Sequence, residues 1–279
     1  MRRIFADLHT HTHRSDGVLS PTALIEKAAE RGLKVVAITD HDTIAGLEEG
    51  RVAAEKHGLE LLPGVELTVT ISDNVVHLLG YAFDPSNDRL RTYLDAFSDG
   101  RRGRMQAMID RLQDQGVTVT LDEVEDEAGP TAALGRPHLA RILCRKGHAE
   151  GMQEAFDCYI GNDAPAYVAA PGRPAREAVD VIHEAGGFVS IAHPGQWMSG
   201  HVMRNLQRAG VDAIECISPS HPDYLVDYYK TKVQSSGLLM TGGSDYHGGS
   251  ERRDERLGRL GLSEREWRPI ARRWRGDGR

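Results

Sequence analysis

Seven short apolar runs punctuate the chain: Ile4-Phe5-Ala6, Val35 to Ile38, Leu61 to Leu67, Val75 to Tyr81, Phe188 to Ala192, Ala213 to Ile217 and Leu238 to Met240. Each is short enough to be a buried strand, which reads as a nearly continuous apolar stretch because both of its faces are covered. Between many of them the apolar positions move to helical spacing. Pro21 to Arg31 has Ser20 placed to cap its first amides and Pro21 at its first turn, and Pro174 to Ala185 stops at Gly186-Gly187. Strands alternating with helices predict an α/β fold with a mainly parallel sheet or barrel.

That rhythm breaks between about 87 and 170. The stretch is charged, with Leu90, Tyr93, Leu94 and Phe97 at helical spacing and a second amphipathic run from Met105 to Leu112. It reads as an inserted, mainly helical subdomain over 87–170, leaving 1–86 and 171–279 to build the barrel domain. Its apolar stripes read as core-facing surfaces. Arg101, Arg102, Arg104 and Arg111 form a basic run that reads as a solvated helix face, although it could steer a short oligonucleotide. The tail from Glu251 onward is rich in arginine and acid.

A chain of 279 residues that is 40% hydrophobic can bury a full core as a single barrel. Cys144, Cys158 and Cys216 are odd in number and form no CxxC pair, so no disulfide framework is expected. The first apolar run ends at Asp7, too soon for a signal-peptide core, and no segment resembles a membrane span; a soluble, cytoplasmic protein with no membrane partner is expected. A net charge of −7 disfavours non-specific coating of nucleic acid, which draws its affinity from neutralising phosphates.

The histidines are where the chemistry shows. His9 and His11 follow the first strand, and an HxH on extended backbone points both rings to one side. Asp40-His41-Asp42 ends the second strand and Gly64-Val65-Glu66 the third, His77 lies in the fourth, Ala192-His193-Pro194 ends another and Ser244-Asp245-Tyr246-His247 the last. Parallel strands present their C-terminal ends on one side of a βα fold, so these groups should converge. Imidazole with carboxylate favours Zn²⁺, Mn²⁺ or Fe²⁺ over Ca²⁺. Taken singly, His77 reads as a core histidine, and Asp40 or Asp42 as an N-cap for a helix starting near Thr43. Jointly, His or Asp/Glu at nearly every strand end reads as a metal cluster.

The set Asp7-Leu8-His9-Thr10-His11 with Ser15-Asp16-Gly17, Thr39-Asp40-His41, Gly64-Val65-Glu66, His77, Ala192-His193-Pro194 and Gly243-Ser244-Asp245-Tyr246-His247 resembles the PHP (polymerase and histidinol phosphatase) superfamily. The resemblance spans nearly the whole chain. It implies a distorted (β/α)7 barrel holding two or three divalent metal ions, Mn²⁺ first among the candidates. His9, His11, Glu66 and Asp245 would hold the first ion. Glu66 would bridge to a second held by His77 and His193, and Asp16, His41 and His247 would hold a third. Gly135-Arg136-Pro137-His138 in the insertion resembles the nucleotide-processing subgroup, which implies action on nucleoside 3′,5′-bisphosphates or on short 5′-phosphorylated RNA in the 5′-to-3′ direction. Ser15, Arg136 and His138 would then meet substrate, Arg136 as a phosphate clamp and His138 as a second contact or a proton donor. No protein partner is implied. The family often carries Arg after His-Pro-Gly, where this chain has Gln196-Trp197, and His13 reads as a surface residue. A histidinol-phosphate phosphatase and a non-catalytic PHP interaction module are the competing readings.

Overall fold

A computed structural model of the chain describes residues 3–129, 132–170, 172–196, 198–250 and 254–276. Trp197 and the first part of the acidic and basic tail, Glu251 to Arg253, lie outside the described residues. All the strands expected from the apolar runs form: β1 (Ala6–Thr10), β2 (Val35–Ile38), β3 (Glu60–Ile71), β4 (Asn74–Tyr81), β6 (Phe188–Ile191), β7 (Ala213–Ile217) and β8 (Leu239–Gly242). A two-residue β5 (Arg173–Pro174) pairs with β3 off the main path.

The sheet runs β1-β2-β3-β4-β6-β7-β8, and its two ends meet where the His11 amide donates to the Tyr246 carbonyl at 2.8 Å. The result is a nearly closed barrel with helices around it, among them α7 (Ala175–Glu184), α8 (Gly200–Ala209) and α9 (Asp223–Ser236) in its second half. Two apolar clusters share the strands. In β2, Val36 and Ile38 pack with Leu24 and Ile25 of α1 (Pro21–Glu30), while Val35 and Ala37 join a second cluster containing Tyr81, Phe188 and Trp267. Such a split follows from the two-residue period of a strand.

One strand departs from the parallel arrangement. β4 runs antiparallel to both β3 and β6. β3 and β4 are joined too closely for a helical crossover, and Ser72 and Asp73 take positive φ values of 48° and 61° in the connecting turn. This reversal has a consequence for the site described below.

The segment expected as an insertion is helical: it opens with the long α3 (Asp88–Asp114) and continues through α4 (Leu121–Ala128), α5 (Arg136–Arg145) and α6 (Met152–Ala155), which runs into a π-helical turn at Phe156–Ile160. Leu90, Tyr93, Leu94 and Phe97 of α3 pack into the barrel's outer core. Met105, Met108, Ile109 and Leu112 form a separate core with Val124, Leu139 and Ile142. One helix therefore serves both bodies. Between the two stripes Arg101 reaches back to the barrel, donating through Nε to Asp42 Oδ2 at 2.9 Å and through Nη1 to the Leu134 carbonyl at 3.0 Å.

Candidate metal centre

Glu66, in the middle of β3 and fully buried, organises the mouth of the barrel. Its Oε2 lies 3.2 Å from Nε2 of both His9 and His11 and 3.3 Å from His41 Nδ1. Its Oε1 lies 3.0 Å from His77 Nδ1 and 2.9 Å from His193 Nε2. The two oxygens of one carboxylate thus face two different sets of imidazoles. Asp245 Oδ1 stands 3.5 Å from His9 Nε2 and 3.4 Å from His11 Nε2, and Asp16 Oδ1 stands 3.2 Å from His247 Nε2.

Four overlapping groups could hold a cation: His11 with Asp16, His41 and His247; His9 with Glu66 and His193; His9 with His11 and Asp245; and His41 with Glu66 and His77. Together they contain every position that the PHP resemblance implies, and they exclude His13, whose Nδ1 faces the Leu19 carbonyl at 3.3 Å. His77 shows why the reversed strand matters. It lies early in β4, opposite Thr68, yet an early residue of an antiparallel strand stands at the same sheet end as late residues of its neighbours.

The donor set fits a metal by a direct structural criterion. Both ring nitrogens of His11, Nδ1 of His41 and Nδ1 of His77 are buried without a hydrogen-bond partner. Each such atom costs about 1–3 kcal/mol when left unsatisfied. Cations held there would satisfy such nitrogens, one nitrogen of each ring to one ion.

Electrostatics agrees. Burial would push the Glu66 carboxyl up, but the imidazoles of His41, His9 and His77 hold it well below the usual carboxylate range. Burial likewise opposes ionisation of Asp16, which His247 and His41 hold low. Burial disfavours a charged His11, yet Asp245 and Glu66 raise it to about 10. Burial carries His41 down to about 3, and adjacent His11 and His77 reinforce this against the pull of Glu66 and Asp16. Neighbouring rings compete for positive charge that a bound cation would supply without protonating any of them.

A supporting residue that the sequence reading missed is Glu215. It is a lone carboxylate in the otherwise apolar β7, and that oddity was the available signal. Fully buried, it meets His9 Nδ1 with Oε1 at 2.9 Å and accepts the His193 amide on Oε2 at 2.6 Å. Pairing Nδ1 with a carboxylate leaves Nε2 as the ligating nitrogen. His193 and Asp245 take positive φ values of 23° and 48°, the strained backbone typical of residues held for function.

Two expectations are corrected here, for Asp40 and Asp42 and for the basic run of α3. Neither Asp40 nor Asp42 caps a helix, because the next one, α2 (Leu47–His57), begins several residues later with Gly46 as its cap. Asp40 instead accepts the Thr12 amide at 2.7 Å and the Ser15 hydroxyl at 2.6 Å, while Asp42 holds Arg101 and accepts the Thr68 amide at 2.7 Å. Ser15, expected to meet substrate, is buried in the loop carrying Asp16, and its hydroxyl donates to Asp40. The basic run of α3 is not an open cationic face: Arg101 is tied to Asp42, Arg102 to Glu125, Arg104 to the Val168 carbonyl and Arg111 to the Tyr167 carbonyl.

The insertion docks beside Asp16. Arg141 donates to the Asp16 carbonyl at 2.7 Å, and the Ala133 amide donates to the Arg14 carbonyl at 2.8 Å. His138 is buried, its Nδ1 accepts the Gly135 amide at 3.1 Å, and burial lowers its pKa below the usual imidazole value. Arg136 donates to the Ile160 carbonyl at 3.2 Å and to Asn162 Oδ1 at 3.0 Å. Its guanidinium stacks 5.5 Å from the Tyr167 ring, which Arg104 approaches at 6.0 Å. Burial, then the like charges of Arg136 and Arg101, lower Arg104 to about 10. Neither Arg104 nor Arg136 has a carboxylate partner among the described residues.

The comparisons with known proteins agree with this geometry. Residues 7–96 match the PHP domain family model. A 3′,5′-nucleoside bisphosphate phosphatase from Chromobacterium violaceum is 34% identical over 252 residues, covering 88% of each chain. A 5′-3′ exoribonuclease from Haemophilus influenzae is 36% identical over 249 residues, covering 86% of this chain and 89% of the relative. Among solved structures, a Bifidobacterium adolescentis protein provisionally assigned as a metal-dependent phosphoesterase superposes with a TM-score of 0.89 at 33% identity, over 97% of this chain and 96% of the other. With its barrel, its Glu66-centred cluster and these relatives, the chain belongs to the PHP domain family of metal-dependent phosphoesterases.

Proposed function

We propose that this enzyme removes the 3′-phosphate of nucleoside 3′,5′-bisphosphates and, by the same chemistry, trims short 5′-phosphorylated RNA from its 5′ end. The observation that carries the reading is two features side by side: the Glu66-centred cluster on the barrel, and, on the segment that docks on Asp16 through Arg141, the half-buried Arg104 and Arg136 around Tyr167, which have no carboxylate partner among the described residues. The names of the relatives support the nucleotide class of substrate.

In this reading His9, His11, Glu66 and Asp245 would hold one divalent ion, Glu66 with His77 and His193 a second, and Asp16, His41 and His247 a third. Mn²⁺ is our choice for a mixed imidazole and carboxylate set, with Zn²⁺ and Fe²⁺ of the same chemical class. Bound there, such ions neutralise charge on phosphoryl oxygens and acidify water, the two needs of phosphoryl transfer. The chain supplies position. Glu215 orients His9, and Arg101 and Arg141 hold the insertion against the barrel mouth. Arg136, with Arg104, grips the 5′-phosphate that is not attacked, as charge-assisted pairs do. His138 accepts at Nδ1 and is held neutral by burial, which leaves Nε2–H to donate a hydrogen bond to substrate. Of its two anticipated roles, that favours the second contact over the proton donor.

The test is turnover of adenosine 3′,5′-bisphosphate, AMP, histidinol phosphate and a 5′-phosphorylated short RNA by metal-loaded protein. Preference for the bisphosphate and the RNA is expected. Preference for histidinol phosphate, or no turnover of any of them, overturns the reading.

A further inference from the structure

The insertion covers the loops that follow β1 and β2, through Arg141 on Asp16 and Arg101 on Asp42. On the opposite half of the barrel mouth, over β6, β7 and β8, lies a cavity of about 490 Å³. His193 and Asp245 form its inner wall, and Gln196 and Tyr224 its outer one. Tyr224 stands at the start of α9 (Asp223–Ser236) and is 62% exposed. Its hydroxyl donates to Gln196 Oε1 at 3.3 Å, and its ring stacks on no aromatic or cationic group among the described residues. The Gln196 amide nitrogen keeps both hydrogens free of protein acceptors among the described residues.

This wall is built rather than incidental. The loop after β6 is fastened at Gly195 both to α9 and to the loop that precedes it: the Gly195 amide donates to His221 Nε2 at 2.9 Å, and its carbonyl accepts from the Tyr229 hydroxyl of α9 at 2.6 Å. The His221 and Tyr229 rings stack on each other at 5.1 Å. Tyr228, one turn along α9 from Tyr224, is also exposed, at 54%, and extends the aromatic strip. Exposed aromatic faces beside a phosphoryl site are the general means of holding bases of single-stranded nucleic acid without regard to sequence.

We propose that this cavity receives the nucleoside downstream of the attacked phosphate in an RNA substrate, its base stacked on Tyr224 and its polar edge met by the Gln196 amide. The inference rests on the RNA half of the function proposed above. In that reaction water adds to phosphorus as the bond to the upstream O3′ breaks, and O3′ takes up a proton. The downstream nucleoside then departs with the phosphate on its own 5′ oxygen. A nucleoside 3′,5′-bisphosphate has nothing to place there, so Tyr224 separates the two substrates.

The experiment measures kcat/KM of Mn²⁺-loaded wild type, Tyr224→Ala and Tyr224→Phe on a 5′-phosphorylated diadenosine RNA and on adenosine 3′,5′-bisphosphate. Tyr224→Ala is expected to lower the ratio of RNA to bisphosphate efficiency about five- to a hundredfold, the equivalent of one stacked base. Tyr224→Phe, which keeps the ring, should hold the ratio near that of wild type. An unchanged ratio in Tyr224→Ala, or an equal fall in Tyr224→Phe, overturns the subsite. Wild type that cleaves the bisphosphate but not the RNA also overturns it while leaving the phosphatase reading intact, and wild type that cleaves neither ends both.

Discussion

Glu215→Gln tests whether a residue that touches no substrate sets the metal affinity of the centre. The substitution keeps the shape of the side chain in a fully buried position and removes one charge. Glu215 now makes two acceptor contacts, 2.9 Å to His9 Nδ1 and 2.6 Å to the His193 amide. A glutamine can accept at only one of them and turns an N–H toward the other donor. Loss of a charge-assisted hydrogen bond costs about 1.5–3 kcal/mol, and removal of such a carboxylate behind a ligating histidine typically weakens metal binding by about 10- to 100-fold. The assay is titration of chelated protein with Mn²⁺, following bound metal after dialysis and kcat/KM in parallel, with circular dichroism to report the fold. A weaker Mn²⁺ affinity in that range is expected, with activity largely restored at saturating metal because the ligands themselves remain. Wild-type affinity in Glu215→Gln would refute the reasoning and show that other contacts set the orientation of His9.

The remaining predictions concern the centre itself and the phosphate grip. Purified protein should contain about two or three divalent ions per chain and lose activity on chelation, read by elemental analysis and turnover; full activity in metal-free protein would end the metal reading. Glu66→Gln should abolish turnover with the fold retained, and excess metal should not rescue it, because both oxygens of Glu66 face histidines of different groups; near-normal rate and metal content would remove its bridging role. Arg136→Ala should lower kcat/KM on adenosine 3′,5′-bisphosphate by about ten- to a hundredfold and barely affect adenosine 3′-monophosphate. An equal loss on both would place Arg136 at the reacting phosphate or in the fold.

How much of this was legible beforehand differs from residue to residue. Chain order alone was enough to expect the barrel strands and the gathering of His9, His11, His41, Asp245 and His247, because apolar runs mark strands and parallel strands end on one side. His77 was counted with them, although taken singly its apolar neighbours suited a core residue. Only the reversal of β4, a matter of strand pairing, brings it to Glu66. Nor could sequence say that Asp40 and Asp42 secure loops instead of capping a helix, or that Ser15 is spent on Asp40, since those partners lie 25 to 59 positions away. Arg104 looked like one more charge on a helix face until folding set it beside Tyr167 and Arg136, in an environment that lowers its pKa. Local patterns report what a residue can do within its own strand or helix. Which side chain it meets, how deeply both are buried and which charge is left without a counterion depend on contacts between distant segments, and those were decided by the tertiary structure.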